Sequence, residues 1–287
     1  MTANRSRTIV VTGATGKQGG AAFRHLQQRG FALRALVRHP DAPKARELDG
    51  SRIEVLRGDF DDAESMERAL DGADGAFSVQ PWQGGREAEV RQGIGLAEAA
   101  NRQEVGHLVY SSVVAADQNT GIPHFESKRE IEEHVRNMGI PYTILRPVFF
   151  MENWLMMRDG IEGGRIMLPL SPQTRLQMIA VDDIGAFVAL AFEHPQHWHN
   201  RTFELAGDEL SMSELAEAFG RVSGREVRYE QVPWDLFEQQ AGHELTVMYR
   251  WFEEKGYSVD IAAVRQQYPK LATFHQWLQE NWRKPAS

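Results

Sequence analysis

Cysteine is absent from this 287-residue chain, which excludes disulfides, cysteine-ligated zinc, a thiol nucleophile and thiol-based redox sensing. Long apolar runs are absent too. The longest, Ile184 to Phe192, is too short and too mixed to cross a bilayer, and no apolar signal segment precedes the first strand-like run. A soluble, cytoplasmic protein with no membrane partner is expected. Positive charge is in deficit, with 32 Lys and Arg against 40 Asp and Glu. Nonspecific nucleic-acid binding depends on a basic surface, so nucleic acid is excluded as a partner. No internal repeat, low-complexity run or long linker interrupts the chain. The apolar fraction of 42% is ordinary, and the length suffices for one large α/β domain or one and a half smaller ones.

Against that background one stretch carries most of the information. Thr8-Ile-Val-Val-Thr12 has the β-branched composition of a buried parallel strand. Gly13-Ala-Thr-Gly16-Lys-Gln-Gly19 follows it, and Ala21 to Gly30 then reads as a helix closed by a C-terminal glycine. Strand, glycine turn and helix in this order are what a bound dinucleotide needs. Gly13 can take the angles of a tight turn, and Gly16 leaves space for the pyrophosphate. Gly19 lets the helix lie close to the strand, and the helix N-terminus offers unpaired N–H groups to the anion.

Arg38 refines the cofactor. It ends the second apolar run, Ala32 to Val37, where a Rossmann unit that prefers NAD carries Asp or Glu for the ribose 2′-hydroxyl. A cation there suits a 2′-phosphate instead. One charge-assisted bond of about 1.5–3 kcal/mol gives about a ten- to hundredfold preference for NADP over NAD. Lys17, inside the turn, is a second cation expected to reach the same phosphate.

Strand and helix signals alternate through the first half, with further strands at Ile53–Leu56, Gly75–Val79, His107–Ser111 and Tyr142–Arg146. The expected fold is α/β, a doubly wound parallel Rossmann sheet with a small, mainly helical C-terminal lobe. Residues 1–150 with 175–206 are expected to form the nucleotide-binding domain, and 151–174 with 207–287 the substrate-side lobe. Asp61 with Glu64 fits a capping box for a helix over Ala63–Leu70, leaving Asp59 free to meet the adenine. Ser211 with Glu214 fits another, and Asp182 or Asp183 can cap the helix ending near Phe192. Phe149 to Met157 reads as a helix, its Met and Trp residues serving as core or as a pocket wall. His194, His197 and His199 read as a solvated loop, so no metal site is expected.

The glycine turn, Arg38, Gly58-Asp59 and Leu145-Arg-Pro-Val-Phe-Phe-Met-Glu-Asn153 together resemble the NmrA-like branch of the atypical short-chain dehydrogenase/reductases, over nearly the whole length. The resemblance implies NADP(H) as cofactor. The residues expected to hold it are Gly13, Thr15, Gly16, Lys17, Gln18 and Gly19 of the turn, with Arg38, Asp59, Val79, Gln80, Pro81, Ser111, Lys128, Pro147 and Phe149. Phe150, Asn153 and Trp154 are expected on the substrate side. In the wider superfamily, catalysis uses Tyr-x-x-x-Lys, where the tyrosine moves the carbonyl proton and the lysine holds the nicotinamide ribose. The matching stretch here is His124-Phe-Glu-Ser-Lys128, with histidine in the tyrosine's place. The family includes reductases of quinone-like and other conjugated compounds, and non-catalytic nucleotide sensors that bind a protein partner. The first expectation is an NADPH-dependent reductase of a small, apolar, conjugated acceptor, with Lys128 and His124 as its catalytic residues and the proton coming from solvent or His124. The alternative is a non-catalytic sensor, so the partner is a small-molecule substrate or a regulatory protein.

Helical spacing bears on Lys128 independently. At 100° per residue, His124, Lys128, Ile131, Val135 and Met138 share one stripe, and Lys128 reads as the only charged side chain on the inward face. A buried ammonium needs a partner, and cofactor phosphate or ribose hydroxyls are the expected one. His124, one turn earlier, caps the helix or lines the pocket. Ser111 and Ser112 follow the fifth strand as active-site or turn residues, and Tyr110 faces away from them.

Overall fold

The computed structural model describes residues 7–48 and 50–282. The chain divides into two compact units. One comprises Met1–Asp117, His124–Arg146 and Val181–Phe203, and the other Gln118–Pro123, Pro147–Ala180 and Glu204–Ser287.

The first unit is built on β1 (Thr8–Thr12), β2 (Ala32–Val37), β3 (Ile53–Arg57), β4 (Gly75–Ser78), β5 (Leu108–Ser111) and β6 (Tyr142–Pro147). Its helices are α1 (Lys17–Gln28), α2 (Pro43–Arg46), α3 (Ala63–Leu70), α4 (Gly85–Arg102) and α5 (Pro123–Asn137). With β10 (Arg201–Leu205) the strands form a seven-stranded sheet in the order β10, β6, β5, β4, β1, β2, β3. β1 pairs in parallel with β2 on one side and with β4 on the other, so the winding reverses between β1 and β4. Ligands of open α/β sheets bind at that reversal, beyond the carboxyl ends of the strands. Val10, Val11, Phe77, Leu108, Val109 and Ile144 are fully buried, as strands covered on both faces require.

Helices α7 (Val181–Glu193) and α8 (Pro195–Trp198) complete this unit. α7 lies against α1 so closely that a Cβ on Gly185 would stand 2.5 Å from the backbone carbon of Ala21. Asp182 does not serve only as a helix-end residue. It accepts from Arg24 and His25 of α1, both at 2.9 Å, and His25 chiefly draws its carboxyl down to about 2.

The second unit holds β7 (Phe149–Phe150), β8 (Arg165–Leu168), β9 (Arg175–Ile179), β11 (Asp208–Ser211) and β12 (Arg228–Gln231). Its helices are α6 (Arg158–Glu162), α9 (Met212–Ser223), α10 (Trp234–Ala241), α11 (His243–Glu254), α12 (Ile261–Gln267) and α13 (Phe274–Asn281). β9 pairs with β11 and β7, so residues 175–180 belong here and not to the first unit, as the sequence reading has them. Ser211 with Glu214 forms the expected capping box of α9, and Thr273 with Gln276 forms one for α13. Among the described residues no helix is long and apolar enough to cross a membrane.

Three local expectations are corrected. Phe149 to Met157 is not one helix: after β7 the chain forms a 3₁₀ helix over Met151–Met157. Its threefold spacing drives Met151 and Trp154 into the core of this unit. The N-cap of α3 is Asp62, whose side chain accepts from Ser65 N–H, because Arg91 and Gln92 of α4 hold the Asp61 carboxylate. The segment from His194 to His199 contains α8 in place of a loop, and His199 lies edge-on to His107, ring centroids 4.3 Å apart.

Buried beside β5, His107 shares a 2.8 Å hydrogen bond with Thr143, whose hydroxyl in turn donates to the Trp198 carbonyl. Burial, then His199 and Arg7, lowers its pKa to about 3. The unfolded chain protonates this imidazole near pH 6.5, while the fold keeps it neutral. Its contribution is therefore complete above pH 6.5 and is lost as the pH falls towards 3, at about 1.4 kcal/mol per pH unit.

Two outcomes are expected. His107→Gln keeps a donor towards Thr143 and removes the titration. It should flatten the fall of unfolding free energy between pH 6.5 and 4 in urea titrations, and an unchanged slope would exclude this origin. Gly185→Ala should cost about 3 kcal/mol, because backbone must move to admit the methyl group. Stability within about 0.5 kcal/mol of wild type would mean that the α1–α7 contact is soft.

Candidate functional site

The site in the first unit starts from Gly13, whose φ of +61° turns the chain sharply out of β1. The N–H of Gly16 closes the turn on the Gly13 carbonyl at 2.8 Å. Gly19 is the most constrained of the three: a Cβ there would lie 2.2 Å from the Gly13 oxygen and 2.4 Å from that of Thr12. α1 then begins with no side-chain cap and no acidic residue in its first turn. Its positive end and free N–H groups are left for an anion, beside the exposed Thr15, Gly16 and Lys17.

Two side chains brace this turn. The Thr12 hydroxyl accepts from Val79 N–H at 3.0 Å and donates to the Phe77 carbonyl at 3.1 Å, tying β1 to β4 at the reversal. Ser111 donates to Gln18 at 2.6 Å, joining the end of β5 to the first turn of α1. Gln80 is buried beyond β4, its amide nitrogen donating to Ser78, and its carbonyl oxygen has no protein partner. Pro81 follows, half-buried.

Beyond β2 and β3 lies a cavity of about 450 Å³ lined by Arg38, His39, Arg57, Gly58, Asp59, Asp62, Ser65 and Arg68. The register sets Arg57 beside Val37, so Arg38 and Arg57 leave adjacent strand ends together. Both are exposed, and neither has an ion-pair partner among the described residues. Arg68 differs, lying 3.7 Å from Glu64. Asp59 is fixed by its own turn: its N–H donates to Ser65, and its carboxylate accepts from Asp61 N–H. Sequence reasoning missed Arg57, because only strand register brings it to Arg38. Lys17 does not line this cavity, whereas Arg57 does.

Lys128 has a protein partner. Its ammonium donates to Glu89 of α4 at 2.7 Å, with the lysine side chain 15% exposed and the carboxylate 1%. Lys128 is also not the only charge on the inward face of α5. Glu132, one turn on, is fully buried and accepts two bonds from Arg146, at 2.9 and 2.7 Å, and one from Arg136 at 2.7 Å. The 100° spacing places Glu132 only about 40° from Lys128, so the helical pattern itself holds this signal. The His124 ring packs edge-on against Trp82, 5.3 Å away, and against Phe125. Tyr110 cannot stand in for a catalytic tyrosine. It is wholly enclosed, and burial, then Glu89 and Glu132, holds its hydroxyl far above its ordinary pKa.

In the second unit Pro147 is buried at the end of β6, and Phe149 packs on Trp154 and Phe252. Trp154 is a core residue: it has no exposed surface, packs on Phe219 and donates its indole N–H to the Met178 sulfur at 3.2 Å. Phe150 and Asn153 are half-buried, and Met156 is 76% exposed. Met157 and Met167, with Gly160, Gly163 and Arg165, line a hollow of about 500 Å³.

A parallel sheet with a winding reversal, a glycine turn at the reversal and an uncapped helix behind it define a dinucleotide-binding Rossmann protein. The chain belongs to the NmrA-like family, whose model matches residues 5–278. It is 32% identical over 233 residues to the NAD(P)H azoreductase of Xenophilus azovorans, a match covering 80% of this chain and 79% of that one. Among solved structures, the Citrobacter triphenylmethane reductase superposes with a TM-score of 0.84 at 24% identity, over 96% of this chain and 100% of that one. The negative transcriptional regulator NmrA in complex with NADP gives 0.80 at 24% identity, over 97% and 96%.

Proposed function

We propose that the protein is an NADPH-dependent oxidoreductase that reduces a small, apolar, conjugated acceptor. One observation carries the cofactor choice: two arginines without ion-pair partners sit together at the nucleotide cavity, where an NAD-binding unit has a carboxylate. With Arg68 they outnumber Asp59 and Asp62 in the same lining, so the cavity is net positive and suits an anion such as the 2′-phosphate of NADP(H). When bound, the cofactor supplies the hydride.

The chain's own groups do the rest. The α1 N-terminus takes the pyrophosphate, with Gly13, Gly16 and Gly19 keeping side chains out of its way. The orphaned Gln80 carbonyl and the remaining N–H groups of Lys128 serve the nicotinamide half. On this reading His124, where the superfamily's tyrosine stands, hands over the proton, or an acceptor such as a quinone takes it from solvent. The identity to an azoreductase supports turnover of an extended conjugated compound. A non-catalytic NADP(H) sensor that binds a protein partner is the second reading. It is favoured by the replacement of the tyrosine and by a Tyr110 too deeply buried to replace it.

Arg57→Ala should weaken NADPH binding about tenfold and leave NADH binding within about twofold, as read by titration calorimetry. Arg38→Asp should remove the preference for NADPH altogether. Equal affinity of the wild type for both cofactors would sink the 2′-phosphate assignment. For turnover, the wild-type protein should oxidise NADPH against at least one member of a panel of quinones, azo and triphenylmethane dyes and enones. Tight binding without oxidation by any of them would select the sensor.

A further inference from the structure

The buried carboxylates on the two sides of α5 are used differently, and the difference points to a ligand. Glu132 is saturated: Arg146 takes both of its oxygens, Arg136 takes one again, and Arg146 goes on to Asp117 at 2.8 Å. Both Glu132 oxygens are thus taken by arginine, and Arg136 also reaches Thr202 at 3.2 Å. Glu89 also has both oxygens engaged, one by Lys128 and the other by the Ser127 hydroxyl, a very short contact. Its partner, however, is left incomplete. An ammonium carries three N–H donors. Glu89 receives one, and no other protein acceptor meets Lys128 among the described residues.

We propose that Glu89 is the positioning residue of the cofactor site, holding the Lys128 ammonium in place so that its two remaining N–H groups receive the hydroxyls of a ribose diol. This rests on the cofactor reading given above. Three observations support it. A carboxylate at 1% exposure is costly to bury and adds little net stability even when paired, so packing alone does not account for it. Its position is rigid, on an 18-residue helix and with Ser127 preventing it from turning away. Lysine's long stem is otherwise free to sample many rotamers, and one fixed anion selects among them. The location agrees as well. One turn before Lys128, His124 packs on Trp82, just beyond the β4 exit that carries Gln80. Lys128 therefore stands near the nucleotide end of the sheet.

The test is a double-mutant cycle on NADPH affinity in the full-length protein, using Glu89→Gln, Lys128→Met and both together, with urea midpoints measured in parallel. Glutamine keeps the shape and one acceptor oxygen and removes the charge. Glu89→Gln should weaken NADPH about tenfold, and Lys128→Met by about the same or more. The double variant should be no weaker than Lys128→Met alone, because Glu89 acts only through the lysine. In turnover assays the KM for NADPH should rise in Glu89→Gln while the KM for the acceptor holds, and Glu89→Asp should recover part of the loss. Wild-type affinity in Glu89→Gln, or losses that multiply in the double variant, would overturn the proposal. If Glu89→Gln does not fold, Ser127→Ala asks the same question by releasing the carboxylate, and unchanged NADPH affinity there would overturn it equally. A wild-type chain that binds no NADPH would bring down the cofactor reading along with it. Loss of affinity in Lys128→Met but not in Glu89→Gln would bring down only the role of Glu89.

Discussion

The first unit depends on how closely α1 is held. On one side, Gly19 brings the helix within van der Waals range of the Thr12 and Gly13 carbonyls, with no room for even a methyl group. On the other, Gly185 of α7 meets the backbone of Ala21 under the same restriction. Close packing makes such a helix nearly immovable, since shifting it in either direction forces backbone onto backbone. The Arg24 and His25 contacts to Asp182, and the Arg29 contact to Glu193, fix its rotation. The direction of the helix N-terminus is therefore set by the fold and not by the anion it faces. A preorganised donor set spends little of its binding energy on ordering itself.

Charge follows the same logic. Most arginines of the first unit outside the cavity are paired: Arg34 with Glu54, Arg91 with Asp61, Arg102 with Glu67, Arg146 with Glu132 and Asp117. Apart from the buried Arg146–Glu132 pair, these lie at least partly exposed and contribute little to stability. Their effect here is on the field, because a paired arginine offers no net charge to a ligand. Arg38 and Arg57 are left out of that pairing although Asp59 and Asp62 line the same cavity. Asp59 and Asp62 are committed to turn and cap hydrogen bonds instead. Within a chain of net charge −8, the three arginines lining this cavity outnumber its two aspartates, which suits an anion there.

Much of this was legible in the sequence because it is local. The glycine turn, the strand before it, the helix after it and the capping box of α9 all lie within spans of a few residues, where backbone sterics dictate the outcome. The misreadings fall where distant residues decide. Arg57 meets Arg38 only through the β2–β3 register, and Glu89 meets Lys128 across 39 positions. The choice of Asp62 over Asp61 as a cap turns on Arg91 in another helix. Trp154 could have been pocket or core, and a 3₁₀ spacing that no composition announces put it in the core. Glu132 is the exception, since periodicity alone placed it beside Lys128.

The substitution of His124 for tyrosine acquires a sharper meaning from these contacts. In the superfamily's arrangement the lysine has two tasks, lowering the tyrosine's pKa and holding the ribose. On the proposed reading only the second remains without the tyrosine, and a lysine kept for that task alone should be fixed rather than adjustable. The Glu89–Ser127 clasp on Lys128 has that character. A site that holds its cofactor firmly but lacks a strong proton donor suits acceptors whose reduction needs hydride first and a proton from any source afterwards. Quinones and extended conjugated dyes meet that condition, because the negative charge arriving with the hydride spreads over several atoms. Simple ketones do not, because the charge collects on one oxygen that must be protonated as it forms. On the proposed reading, replacement of the tyrosine narrows the acceptors open to this chain, while Glu89 and Ser127 fix the lysine that remains.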